Sequence, residues 1–164
     1  AENGPGIYND FEATAVVQGD IFKNNTADYR GGGIYSDGTL TVEKDTDDNR
    51  PKFTGNKAAQ GGVIYTSGKT VVNDTEFENN KANSIGGALQ IASNNAKITN
   101  NNFKNNIAKT NGGAAYIEGD NVEISGNKFI SNQAGSESAG GAMRIFGNKT
   151  IISKNTFELN TAKY

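Results

Sequence analysis

Phe77-Glu78-Asn79-Asn80-Lys81-Ala82, followed at residue 86 by Gly86-Gly87-Ala88-Leu89, decides how this chain folds. The first half, Phe-x-x-Asn-x-Ala, returns at Phe22, Phe53, Phe103, Phe129 and Phe157, separated along the chain by 31, 24, 26, 26 and 28 residues. The second half returns as Gly31-Gly32-Gly33-Ile34, Gly61-Gly62-Val63-Ile64, Gly112-Gly113-Ala114-Ala115 and Gly140-Gly141-Ala142-Met143, with a degenerate copy at Gly4-Pro5-Gly6-Ile7. Self-similarity at this period marks a repeat architecture. Six units result, at 4–30, 31–60, 61–85, 86–111, 112–139 and 140–164. The chain opens at Ala1 and stops where another Gly-Gly would begin, which reads as a piece of a longer repetitive protein.

A third short segment lies five residues before most of the phenylalanines. Its apolar residue is Val17, Val72, Ile98, Ile124 or Ile152, and two residues earlier stand Ala15, Thr70, Ala96, Val122 and Thr150. Unit two carries Leu40 and Val42 there, but an insertion at Glu43–Pro51 delays its Phe53. A spacing of two on one side is strand periodicity. Three short strands per unit, separated by Gly- and Asn-rich corners, predict an all-β parallel β-helix, a solenoid of about six coils. Equivalent residues then form columns with a spacing of about 4.8 Å.

Those columns account for the motifs. Phenylalanine stacks on phenylalanine, asparagine amides form ladders at the corners, and glycine permits positive φ and close approach. No unit buries its apolar face alone, so the six depend on one another. A helical bundle is excluded by the 21 glycines and heavy asparagine usage, which weaken helix interiors. Disorder does not fit 8 Phe and 6 Tyr with a net charge of −2. That balance gives no reason to expect nucleic acid or anionic membrane as a partner, and no apolar run has the length of a membrane span. With no histidine and no cysteine, a Ser-His-Asp or Cys-His centre cannot be built, nor any disulfide or Cys-based zinc site. No cofactor is expected.

The strand after Gly-Gly carries the candidate site. With Ile7, Ile34, Ile64, Leu89, Ala115 and Met143 pointing inward, the next column, Tyr8, Tyr35, Tyr65, Gln90, Tyr116 and Arg144, points outward. Asp37 and Glu118 lie two residues further on. The preceding column, Gly6, Gly33, Val63, Ala88, Ala114 and Ala142, is small and expected outward as well. Two readings fit. The strip is a docking surface, since Tyr and Arg are enriched at binding hot spots, or the tyrosines stack as a ladder on a parallel sheet.

Carboxylates supply an enzyme alternative. Asp10 and Asp37 lie one coil apart, near the roughly 5 Å separation of retaining glycosidases, yet no Asp, Lys and Arg cluster recurs across coils, and solvated acids account for them. Asp45, Asp47 and Asn49 place oxygens at alternate positions as in a Ca²⁺ loop, but the glycine and glutamate of an EF-hand are missing, and Arg50 and Pro51 come next instead. A solvated acidic loop is the plainer reading, and as the longest excursion it is the protrusion best placed to touch a partner. Sequons at Asn24, Asn73 and Asn148 are acceptors only in a eukaryotic source with outward side chains.

Alternating Gly-Gly-Ala-[Ile/Leu/Val] and Phe-x-x-Asn motifs resemble the polymorphic outer-membrane protein repeats of chlamydiae and their relatives. The resemblance covers essentially the whole chain. It implies a right-handed β-helix in a secreted or surface-displayed protein, often an adhesin passenger, whose partner is a host receptor. The Asn- and Lys-rich usage is similar to that of scaffolding proteins such as the scaffoldins of anaerobic gut fungi, for which the partner is a dockerin-like module. The expectation is a non-catalytic extracellular protein-binding module, with carbohydrate binding or cleavage along the tyrosine strip as the alternative.

Overall fold

In the computed structural model, which describes residues 1–135 and 139–163, the chain is wound into six coils of short parallel strands. Residues 136–138 of the fifth unit and residue 164 of the sixth lie outside the described residues. Each coil contributes one strand to each of three six-stranded sheets. A tyrosine sheet holds Ile7–Asn9, Ile34–Ser36, Ile64–Thr66, Leu89–Ile91, Ala115–Ile117 and Met143–Ile145. A valine sheet starts at Thr14–Gln18 and ends at Ile151–Ser153, and a phenylalanine sheet runs from Ile21–Lys23 to Thr156–Glu158.

The repeat also yields a fourth strand that the sequence pattern does not announce. Two-residue strands at Lys57–Ala58, Lys81–Ala82, Ile107–Ala108, Gln133–Ala134 and Thr161–Ala162 form a five-stranded ribbon. Two residues are too few to show an alternation, and so the ribbon leaves no periodic signal.

Register follows the motifs residue for residue. Phe77 pairs with Phe53 on one side and Phe103 on the other. The Phe77 and Phe103 rings stack at 4.8 Å between centroids with 4° between planes, and each such pair adds about 0.5–1.5 kcal/mol beyond its burial. Phe53, Phe77, Phe103 and Phe129 are wholly enclosed. Beside the rings runs an asparagine ladder, in which Asn56, Asn80, Asn106 and Asn132 are all buried. A second ladder joins Thr75 N, Asn101, Asn127 and Asn155 at the preceding corner. Each ladder amide satisfies backbone groups that a tight corner would otherwise strand in the core.

The Gly-Gly corner is where the alternation of inside and outside breaks. Val63 N and Ile64 N both donate to Ala88 O, at 2.8 and 3.0 Å. The same sharing recurs in the coils above and below, as with Ala88 N and Leu89 N on Ala114 O. One carbonyl thus serves two successive residues, a local bulge that turns both toward the core. The column expected outward is therefore inward: Val63, Ala88 and Ala114 are fully buried and belong to the hydrophobic core. Gly61 takes φ 56° to make the turn. A Cβ on Gly62 would collide with the backbone of Lys81 and of Gly87, which is why two glycines stand together.

Ile152 and Phe157, core residues by column, are about half exposed in the last coil, at 50% and 49%. Among the described residues no helix is long and apolar enough to cross a membrane.

Candidate functional site

The tyrosine sheet brings the expected column together in register. Tyr8 pairs with Tyr35, Tyr35 with Tyr65, Tyr65 with Gln90, Gln90 with Tyr116 and Tyr116 with Arg144. Its exposure departs from expectation. Tyr35 and Tyr65 retain 8% of their surface and Gln90 only 4%, whereas Tyr8 is 56% exposed and Tyr116 and Arg144 are half-buried.

The burial has a local cause. Tyr8, Tyr35 and Tyr65 lie flat on one another, with centroids 4.8 and 5.2 Å apart. The Arg30 guanidinium then covers the stack, 4.4 Å from the Tyr65 ring and 4.6 Å from the Tyr29 ring, and its Nε donates to Gln60 Oε1 at 3.1 Å. Cation–π contact of this kind is strengthened by desolvation. Arg30 comes from the neighbouring corner, a contact that column arithmetic alone does not reveal.

Polar bonds fix the strip's edge. Tyr35 donates its hydroxyl to Asp37 Oδ2 at 2.7 Å, and Ser67 donates to the other Asp37 oxygen from the next coil. Burial, reinforced by that hydroxyl bond, pushes the Tyr35 pKa up to about 12. Burial also pushes Tyr65 up, against the opposing pull of Arg30, and pushes Tyr116 up with help from the Glu118 carboxylate. Gln90 breaks the tyrosine run; its Nε2 donates to Glu118 Oε2 at 2.8 Å and its Oε1 is buried without a partner.

Beyond that break the face opens. Tyr116 tilts 47° against Phe146 at 5.6 Å, and the Arg144 guanidinium sits 4.4 Å over the same Phe146 ring. Phe146 is 56% exposed. Tyr116, Glu118, Arg144 and Phe146 thus form an accessible aromatic and charged cluster on one end of a rigid sheet. Phe146 is legible in the sequence as the end of the Asp37–Glu118 column but not as part of a site.

The acidic loop is closed on itself rather than open to an ion. Asp45 Oδ1 accepts from Asp47 N at 2.9 Å and Asn49 N at 2.8 Å, and its Oδ2 accepts from Asn49 Nδ2 at 2.8 Å. These bonds, led by the Asn49 side chain, hold the Asp45 carboxyl below its usual range. The Asp45 carboxylate is thus spent on its own turn, and no three His, Cys, Asp or Glu among the described residues could hold a metal ion together. Of the sequons, Asn24 and Asn148 are exposed. Asn73 is spent on Thr99 and Asn100, which both donate to its Oδ1.

The family model for the Chlamydia polymorphic membrane protein repeat matches residues 21–37, 52–67 and 74–92. Each segment spans a Phe-x-x-Asn motif, a Gly-Gly corner or both. The chain is a parallel β-solenoid, and its matched segments resemble the polymorphic membrane protein repeat, a resemblance that implies association with an outer membrane or cell surface. Neither curated proteins nor solved structures give a match.

Proposed function

We propose that the chain is a non-catalytic, surface-displayed module that binds a protein partner, as an adhesin does, through the open end of the tyrosine sheet. One observation carries this reading: Tyr116, Arg144 and Phe146, residue types that anchor interfaces, are mutually packed and half exposed, with the Tyr116 strand paired on both sides and the Arg144 strand paired to it along the sheet edge. Little ordering entropy is left to lose on binding. The partner contacts Tyr116, Arg144 and Phe146 at its centre and Glu118 at the rim, while Tyr35, Tyr65, Gln90 and Asp37 hold the surface flat. A host receptor, suggested by the repeat's resemblance, and a dockerin-like module, suggested by the Asn- and Lys-rich usage, are the two partner classes to test.

The same geometry argues against catalysis at the paired carboxylates. Both oxygens of Asp37 are taken by hydroxyl donors, and the chain holds no histidine or cysteine to act as a base. Release of reducing sugars or unsaturated products that vanishes in Asp37→Asn would overturn this part.

The test is binding of the immobilised chain to panels of receptor ectodomains and of purified dockerin-like modules. Tyr116→Ala with Arg144→Ala should weaken a bound partner by roughly 30-fold or more, about 2 kcal/mol, with an unchanged melting curve. A partner held equally well by the double variant would move the interface elsewhere.

A further inference from the structure

We propose that the insertion Glu43–Pro51 and the corner beneath it form a binding site for a neutral oligosaccharide, on a different face from the tyrosine sheet and independent of the protein-binding reading. The repeat is otherwise regular, and its regularity is spent on folding. This loop is the departure, and it is built rather than slack. Asp45 caps its turn through Asp47 and Asn49, its backbone closes from Asp45 N to Asn49 O at 3.0 Å, and Lys44 pairs with Asp48. The loop sits directly on Gly19, where a Cβ would run into the Asp45 carboxylate.

At its far end Arg50 reaches the next coil and meets Asp74 at 3.3 Å. Two depressions, of about 340 and 310 Å³, both have Arg50 in their walls. Each is large enough to be a small-ligand subsite, for which about 300 Å³ is the usual lower bound. The first lies between the loop and Ile21, Lys52 and Glu76; the second lies over Asp74, Asn100, Asn102 and Lys128.

The chemistry of the walls selects the ligand. Three cations, Arg50, Lys52 and Lys128, face three carboxylates, Asp48, Asp74 and Glu76. Equal charge of both signs gives no net field to concentrate a polyanion or a polycation. It does offer donors and acceptors side by side, which is what a row of hydroxyl groups requires. Asn102, half-buried in the wall of the second depression, adds an amide beside Asn100, and amides supply both a donor and an acceptor to a sugar hydroxyl. Ile21, 72% exposed at the rim, supplies an apolar contact for the C–H face of a sugar ring.

The experiment screens the full chain against arrayed neutral and anionic oligosaccharides and measures hits by calorimetry. A neutral oligosaccharide should bind, and Arg50→Ala and Asn102→Leu should each weaken it by at least about tenfold with melting unchanged. Tyr116→Ala with Arg144→Ala should bind sugar as the parent does, so that failure of one reading leaves the other standing. Should Arg50→Ala melt early, the exposed Lys128→Gln substitution carries the same test from the opposite wall. The proposal falls if no neutral sugar binds at about 10 mM, if binding is confined to anionic glycans and fades with salt, or if the wall variants bind normally.

Discussion

Asn106 Oδ1 accepts two hydrogen bonds from Asn80 alone, one from its backbone N at 3.1 Å and one from its Nδ2 at 2.9 Å. Asn106 in turn donates through Nδ2 to Phe77 O and to Asn132 Oδ1, both at 3.0 Å. One side chain thus completes the corners of the coils on both sides of it.

Replacing Asn106 by Ala takes a partner from four buried groups; Asn80 Nδ2 keeps Phe53 O and Asn132 Oδ1 keeps the backbone N of residue 106, whereas Asn80 N and Phe77 O lose their ladder partner outright. At about 1–3 kcal/mol for a buried group left unsatisfied, with water able to relieve some of them, a loss of about 3 kcal/mol or more is expected. Equilibrium urea unfolding measures it. A loss of a few tenths would mean that water replaces the amide without penalty.

Phe103 lies at the middle of the ring stack, with Phe77 and Phe129 each 4.8 Å away. Phe103→Ala should cost about 3–5 kcal/mol. A cost below about 1 kcal/mol would show that the coils close over the gap.

Alkaline pH should unfold the protein through the tyrosine ladder. Tyr35 titrates at about 12 in the fold against an ordinary value of 10.0. A group whose folded pKa is raised contributes stability that is complete below its unfolded pKa and lost as pH climbs through the folded one. The window is therefore about pH 10 to 12, and Tyr35 alone accounts for roughly 2–3 kcal/mol of the loss. Tyrosinate absorbance followed beside circular dichroism tests this. Tyr35→Phe should lower stability at neutral pH, by removing the bond to Asp37, and flatten the alkaline slope.

Leu159 occupies a corner meant for other residues. Its φ is 53°, in the column where Asn24, Gly55, Asn79 and Asn105 also stand at positive φ, and it is 81% exposed. Left-handed geometry costs a residue with a Cβ about 1–2 kcal/mol, and Leu lacks the local hydrogen bonds with which Asn offsets it. Leu159→Gly should slow amide exchange across Thr156–Ala162 by roughly the factor that energy implies, tenfold for about 1.4 kcal/mol. Unchanged exchange would mean that the last coil opens without this corner relaxing.

The fold was legible because its determinants repeat. A Phe every 24 to 31 residues fixes the coil, and the paired apolar residues of the valine sheet fix the strand period. What escaped was set by non-periodic contacts. The inward turn of Val63 and Ala88 comes from a shared carbonyl, a backbone feature with no residue signature. The burial of Tyr65 comes from Arg30, whose column reads Asn3, Arg30 and Gln60 and holds no second arginine to draw notice.

The unbroken line from Asn56 through Asn80 and Asn106 to Asn132 makes one coil interchangeable with the next. Excising residues 86–111 would join Ile85 to Gly112 and set Phe77 on Phe129 and Asn80 on Asn132, the same neighbours in kind. Gene duplication or loss of one such unit therefore lengthens or shortens the rod by about 4.8 Å without asking any surviving residue to change its role. Reach from the cell becomes a quantity that copy number can vary while the corners, and whatever they carry, are inherited intact.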